Sequence, residues 1–184
     1  MKALDALHSR ISAPRLCDPP PDESALENIY RAAFRAADHG LLRPWRFLII
    51  RGESRNKLGD LFLEASLEQD SEIPVEKQQN IRQKPLRAPL LLVTISSLKE
   101  HPKVPEFEQD LSAGAASQNM LVAAHAQGVG AMWRTGSMAY HPTVMKGLGL
   151  QDHEKIIGFL YLGTINGPLK TLSEPDIDEF FQEW

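Results

Sequence analysis

Gly128-Val129-Gly130-Ala131-Met132-Trp133-Arg134-Thr135-Gly136 joins a glycine pair, a short apolar strand and an Arg-Thr-Gly turn in one unbroken run. The segment ahead of it, Glu106 to Gln127, is rich in Ala and reads as a long helix. Gly128 therefore stands where a helix ends most cheaply, in the left-handed conformation that glycine adopts without a Cβ penalty. The chain passes from helix to strand within two residues, so helices and sheet must be layered on one another. Where the strand stops, Arg134 and Thr135 offer a guanidinium fork and a hydroxyl beside backbone N–H groups. That set suits a polar planar or anionic ligand, and a solvated arginine at an ordinary connection is the alternative the local sequence leaves open.

Working outward, a second boundary has the same organisation. From Asp22 to about Asp38, Leu26, Ile29, Tyr30, Ala33, Phe34 and Ala37 recur at spacings of three and four, which predicts an amphipathic helix with one apolar face. Arg31 and Arg35 lie off that face; Asp38-His39-Gly40 breaks the helix, with His39 as its C-cap and Arg35 a cation in its last turn. Arg43-Pro44-Trp45 then leads into Phe47-Leu48-Ile49-Ile50, which reads as a buried strand. Further on, Ser54 is expected to cap a helix carrying Leu58, Leu61, Phe62 and Ala65, and an exposed charged helix is expected between Val75 and Lys84. Pro89 to Ile95 and Ile156 to Leu162 read as core strands, and His141-Pro142-Thr143 opens another short helix.

Composition sets limits on function. The 184 residues suit one domain, and a hydrophobic content of 42% suffices for a packed core. A formal charge of -4 argues against a generic nucleic-acid surface. No apolar run reaches the ~18 residues of a membrane span, and the N-terminus lacks the apolar core of a secretory signal, so a cytoplasmic location is expected. The single Cys17 cannot form an intramolecular disulfide, and the scattered His8, His39, His101, His125, His141 and His153 show no helical zinc spacing, so no metal is expected. Gly128-x-Gly130 precedes a strand and has Trp133 in the third glycine's place, which excludes a Rossmann fingerprint.

Four blocks carry a family resemblance across nearly the whole chain: Ser9 to Ser12, Arg35 through Pro44-Trp45, Gly128 through Gly136, and Gly158 through Thr164. In their order and spacing they resemble the FMN-dependent nitroreductase family, in particular its short YdjA-like branch. The resemblance implies an α+β fold, a central mixed sheet flanked by helices, with residues 1–184 forming one FMN-binding domain in an intertwined homodimer. It implies flavin contacts from Arg10, Ile11 and Ser12, where Ile11 replaces the middle arginine of an Arg-Arg-Ser motif and cannot make that residue's phosphate contact. It further implies contacts from Trp133, Arg134 and Thr135, from Arg35 and His39 of the neighbouring subunit, and from Lys170 to the FMN phosphate. Where many relatives carry Asn-x-Gln-Pro-Trp, this chain has Leu41-Leu42-Arg43-Pro44-Trp45.

The chemistry implied is the flavin's own, with the protein setting its orientation and electronics. NADH or NADPH would reduce FMN, and a nitroaromatic, quinone or similar small acceptor would take the electrons in the same pocket by a ping-pong cycle. Arg10 is the first candidate for a guanidinium beside the flavin's pyrimidine edge, where reduction develops negative charge. No Ser-His-Asp or paired-carboxylate apparatus is apparent. A non-catalytic flavin carrier or regulator, or specialised chemistry such as reductive removal of a ring substituent, is the alternative class. The small-residue run Ser112 to Ser117 and the aromatic tail ending in Phe180, Phe181 and Trp184 are candidates for the subunit interface, the former also for packing on the protein's own sheet.

Overall fold

The computed structural model describes residues 1–184. Helix α5 (Glu106–Ala126) forms where the Ala-rich segment predicts it, and Gly128 beyond it has φ 76°. Gly128 N–H donates to the His125 carbonyl and Val129 N–H to that of Ala124, the paired bonds that satisfy orphan carbonyls at a glycine-terminated helix. Strand β4 (Gly130–Arg134) follows at once.

Four further strands complete the sheet: β1 (Leu16–Cys17), β2 (Trp45–Arg51), β3 (Leu90–Ser97) and β5 (Glu154–Ile165). β2 pairs β3, β3 pairs β5, and β4 lies along the other side of β5, whose end also takes β1 through Leu16↔Ile165 and Cys17↔Thr164. The expected α+β class holds, but the expected mixed sheet is antiparallel in every pairing.

The period-two alternation of β3 and β5 divides two cores. Leu91, Val93, Phe159 and Tyr161 pack with Leu58, Phe62 and Ala65 of α3 (Ser54–Gln69) and Val144 of α6 (Pro142–Gly147). On the opposite face, Leu90, Leu92, Leu160 and Leu162 pack with Ala116, Met120 and Ala124 of α5 and with Leu26, Ile29 and Ala33 of α2 (Glu23–Ala33). Helix α1 (Ala3–Ser9) lies against α5, and α4 (Val75–Arg82) against α3.

Three local expectations are corrected. Helix α2 stops at Ala33, not near Asp38, so Phe34 is 61% exposed instead of joining the apolar face. The N–H groups of Phe34, Arg35 and Ala36 bond three residues back, and Asp38 accepts the Leu41 N–H on its carbonyl and the Arg43 N–H on its carboxylate. Such local bonds by a short acidic side chain compete with helix continuation. Consequently Arg35 lies outside the helix, and His39 opens a 3₁₀ turn, His39–Leu41, rather than capping α2. The residue before α3 is Glu53, so Ser54 begins that helix instead of capping it. Finally, β2 is an edge strand: Ile50 is buried while Ile49 is 48% exposed.

At the far end of the sheet Arg46 grips Glu154 with two bonds of 2.6 Å, Nε to Oε1 and Nη2 to Oε2. This fork holds the Glu154 carboxyl down to about 2, against the cost of burial. A depressed carboxyl stabilises the fold above its unfolded value of about 4.5 and loses that contribution as pH falls toward 2. Glu154→Gln should therefore cost on the order of 2–3 kcal/mol at neutral pH and flatten the acid limb between those values, measured by urea unfolding across pH. An unchanged acid limb would remove the pair from the stability account.

Candidate functional site

Strand β4 presents its residues alternately to the two faces, so the contiguous Met132-Trp133-Arg134 block is split across the sheet. Trp133 turns toward α5. Its Nε1 donates to the Ile157 carbonyl at 3.3 Å, and its ring lies against the bare backbone of Gly158 and beside Gly114 of α5. The α5 run of small residues accordingly serves this protomer's own packing: Ala113 and Ala116 are buried, and Ser117 Oγ donates to Thr94 Oγ1 at 2.9 Å.

Arg134 turns to the other face, its guanidinium carbon 5.4 Å from the centre of the Tyr161 ring. Its Nε is buried and has no hydrogen-bond partner. There it borders a cavity of about 400 Å³ walled by Phe62, Met132, Met138, Phe159 and Tyr161 and edged by Lys84, Arg87, Arg134, Thr135 and Ser137. No carboxylate lines it. Burial pushes the Tyr161 phenol up, with Arg134 and then Arg87 opposing, so it stays a neutral donor. Apolar walls with unpaired cations along one edge fit a planar ring bearing acidic or anionic oxygens.

Lys84 and Arg87 were not singled out from the sequence. The signal lay in their spacing: Lys84–Arg87 is a 3₁₀ turn, in which side chains three apart eclipse, so both cations project to one side just ahead of β3.

The remaining predicted residues are elsewhere. Arg10, Ile11 and Ser12 follow α1, half-buried, and Arg10 and Ile11 border a smaller cavity of about 160 Å³ with Val129, Gly130 and Leu169 near the start of β4. Lys170, next to Leu169, is exposed. Arg35 is also exposed and borders two grooves, one formed by α1 and α5 with Leu7 and Val122, the other by Phe34, Leu41, Arg43 and Trp45. Exposed His39 is paired through Nδ1 to Glu108 Oε2 at 2.7 Å. Thus the protomer does not place the nine predicted residues, Arg10, Ile11, Ser12, Arg35, His39, Trp133, Arg134, Thr135 and Lys170, around one cavity: Trp133, Arg134 and Thr135 border the larger one, Arg10 and Ile11 the smaller one, and Arg35 and His39 border different grooves. No set of three His, Cys, Asp or Glu residues gathers for a metal, and no helix is long and apolar enough to cross a membrane.

Residues 9–164 match the sequence profile of the Nitroreductase family, and the chain belongs to that family. It is 41% identical over 165 residues to an Escherichia coli K12 protein named "Putative NAD(P)H nitroreductase YdjA", covering 89% of this chain and 88% of that one. Its fold superposes on a nitroreductase-like protein from Bacillus cereus with a TM-score of 0.86 at 23% identity, covering 100% of this chain and 96% of the other. A nitroreductase-type protein of Desulfovibrio desulfuricans, solved in complex with FMN, superposes with a TM-score of 0.74 at 23% identity over 100% of this chain and 97% of that one.

Proposed function

We propose that this chain is an FMN-dependent oxidoreductase that takes two electrons from NADH or NADPH and delivers them to a nitroaromatic, a quinone or a similar acceptor. One observation carries the reading: the cavity at Trp133–Gly136, with its unpaired Arg134 Nε, offers ring-sized apolar walls and a cationic edge within the segment that matches the family. When bound, FMN supplies the hydride and electron transfer. The chain's residues bind and orient it: Arg134 and Thr135 donate to its polar edge, Trp133 fixes the adjoining wall, and Arg10, Ser12 and Lys170 provide charge and a hydroxyl for its phosphate-bearing tail. Arg35 and His39 are exposed and lie away from the Arg134 cavity within one protomer, and in the proposed two-fold homodimer they complete the flavin site of a second copy. A donor and an acceptor that use one open flavin face in turn give ping-pong kinetics, and the expected location is the cytoplasm.

The purified protein should be yellow, with one FMN per chain. NAD(P)H should bleach that colour in a stopped-flow experiment, a nitroaromatic or quinone should restore it, and double-reciprocal plots should be parallel. Arg10→Ala and Arg134→Ala should weaken FMN binding, read by titration and by the ligand-induced rise in Tm, while Lys77→Ala on the exposed α4 should not. Flavin that dithionite reduces but neither nicotinamide does would exclude the reductase reading.

A further inference from the structure

We propose that Gln109 is a positioning residue: buried in α5, it holds the loop 98–105, and through that loop the turn 38–43, in the shape that presents Arg35 and His39 to a second copy. The inference rests on the shared flavin site proposed above, and it adds residues that border neither the Arg134 cavity nor the grooves beside Arg35.

The turn does not hold itself. Leu41 and Arg43, with φ of 53° and 48°, are the two residues other than glycine that take the left-handed conformation in this chain, and Gly40 takes it beside them. A Cβ makes that conformation unfavourable, so it persists only where the surroundings over-determine it. Three ties do so. One is internal, the Asp38 carboxylate accepting the Arg43 N–H at 2.7 Å. The other two come from the loop 98–105. Lys99 Nζ donates to the Leu42 carbonyl, and a methyl of Val104, a residue only 4% exposed, stands 3.6 Å from where a Cβ on Gly40 would lie.

The loop in turn hangs on one side chain. Gln109 is 1% exposed, and its amide pairs with both backbone groups of Lys99: Oε1 accepts the N–H at 2.9 Å and Nε2 donates to the carbonyl at 2.8 Å. Nε2 also reaches the Val104 carbonyl at 3.4 Å. The backbone of Lys99 has no backbone partner of its own, so without Gln109 these groups would be left unpaired. The two residues that tie down the turn are thus the two whose backbone Gln109 fixes. Glu108, one residue earlier on α5, takes His39 Nδ1 at 2.7 Å. A carboxylate only accepts, so Nδ1 carries the proton and the ring's orientation is set. One turn of α5 therefore grips the loop through Gln109 and His39 through Glu108. A turn free to visit other shapes would bind its ligand more weakly, in proportion to the fraction that stays competent.

The test uses the full-length protein with Gln109→Met, which fills a similar volume without pairing, and with Lys99→Met, an exposed position where only the tie to Leu42 is lost. Ser117→Ala removes the buried bond to Thr94 farther along the same helix and controls for a general loss of stability. Amide exchange of the flavin-free protein is followed by mass spectrometry on peptides spanning 38–43 and 98–105, FMN affinity by titration, and folding by Tm. Both methionine variants should speed exchange at 38–43. Gln109→Met should weaken FMN binding about tenfold, as a turn competent about a tenth of the time would. Adding Leu41→Gly, which removes the Cβ penalty from the strained position, should recover most of that affinity, whereas Ser117→Ala should lower Tm and leave FMN affinity at the wild-type value. Faster exchange in the loop with none at 38–43 would overturn the proposal, because the turn would then not depend on the loop. An affinity loss that Leu41→Gly leaves in place, or that Ser117→Ala reproduces, would overturn it too, making Gln109 a core residue alone. If Gln109→Met does not fold, Lys99→Met decides, and unchanged exchange and affinity there refute the coupling. Wild-type protein that binds no FMN would refute the flavoprotein reading instead, and exchange at 38–43 would still decide whether Gln109 holds the turn.

Discussion

Gly158→Ala should lower stability by about 2 kcal/mol and release the flavin. A Cβ at position 158 would lie 2.0 Å from Trp133 Nε1 and 3.1 Å from the Arg134 carbonyl oxygen. Neither neighbour yields easily: the indole is a rigid ring held by its bond to the Ile157 carbonyl, and the carbonyl is strand backbone. The indole must swing out, and the backbone that aims Arg134 at Tyr161 moves with it. Thermal unfolding and FMN titration measure the two effects. Combining Gly158→Ala with Trp133→Ala supplies the control, since the second change removes the obstacle that the first meets. The pair should be less destabilised than the sum of the single variants by more than about 1 kcal/mol, because contacting residues are non-additive, while flavin binding stays lost. Strict additivity would mean that the two positions do not compete for one space.

Removing Pro175 to Trp184 should convert a dimer into a monomer and release FMN at the same time. On a single protomer everything from Thr164 onward is exposed, including Ile177, Phe180, Phe181 and Trp184. Burying each such side chain against a second copy contributes roughly 1.5–3 kcal/mol before ordering costs, so loss of all four should weaken association by several powers of ten. Beside the α1–α5 groove, Leu4 and Leu7 are exposed as well, an apolar surface of the kind that receives such a tail. Sedimentation at micromolar concentration, with the absorbance of retained flavin followed in the same run, measures both outcomes. A full-length monomer that keeps its FMN would refute the shared site.

What the sequence disclosed and what it concealed have physical causes. The helix-to-strand switch at Gly128 was legible because a left-handed residue after an Ala-rich helix has few alternatives to glycine, and both bonds of the cap follow from it. β3 and β5 were legible as continuous apolar runs because both of their faces are covered. The end of α2 was concealed: periodicity continued through Phe34, while Asp38 drew the chain into a turn through bonds that periodicity does not encode. The edge position of β2 was likewise invisible, since Phe47 to Ile50 look the same in an edge as in a centre. For the candidate site, motif order located Arg134 and Thr135 but not Lys84 and Arg87. Those two meet Arg134 only because β3 and β4 both pair with β5.

The three tryptophans lie at three different parts of the proposed assembly, which gives the protein a set of built-in optical reporters. Trp45 borders the groove with Arg35 and Arg43, Trp133 borders the cationic cavity, and Trp184 closes the exposed tail. Indole emission overlaps flavin absorption, so a bound flavin quenches a nearby tryptophan by energy transfer, and the loss falls steeply with distance. Trp184, surrounded by water in a lone protomer, emits at long wavelength and shifts to shorter wavelength when covered. Versions that keep Trp133 and carry Phe at position 45, at position 184 or at both thus separate, by difference, flavin entry at the cavity, closure of the Arg35 groove and docking of the tail. The order of those events would be readable from fluorescence alone, without labels.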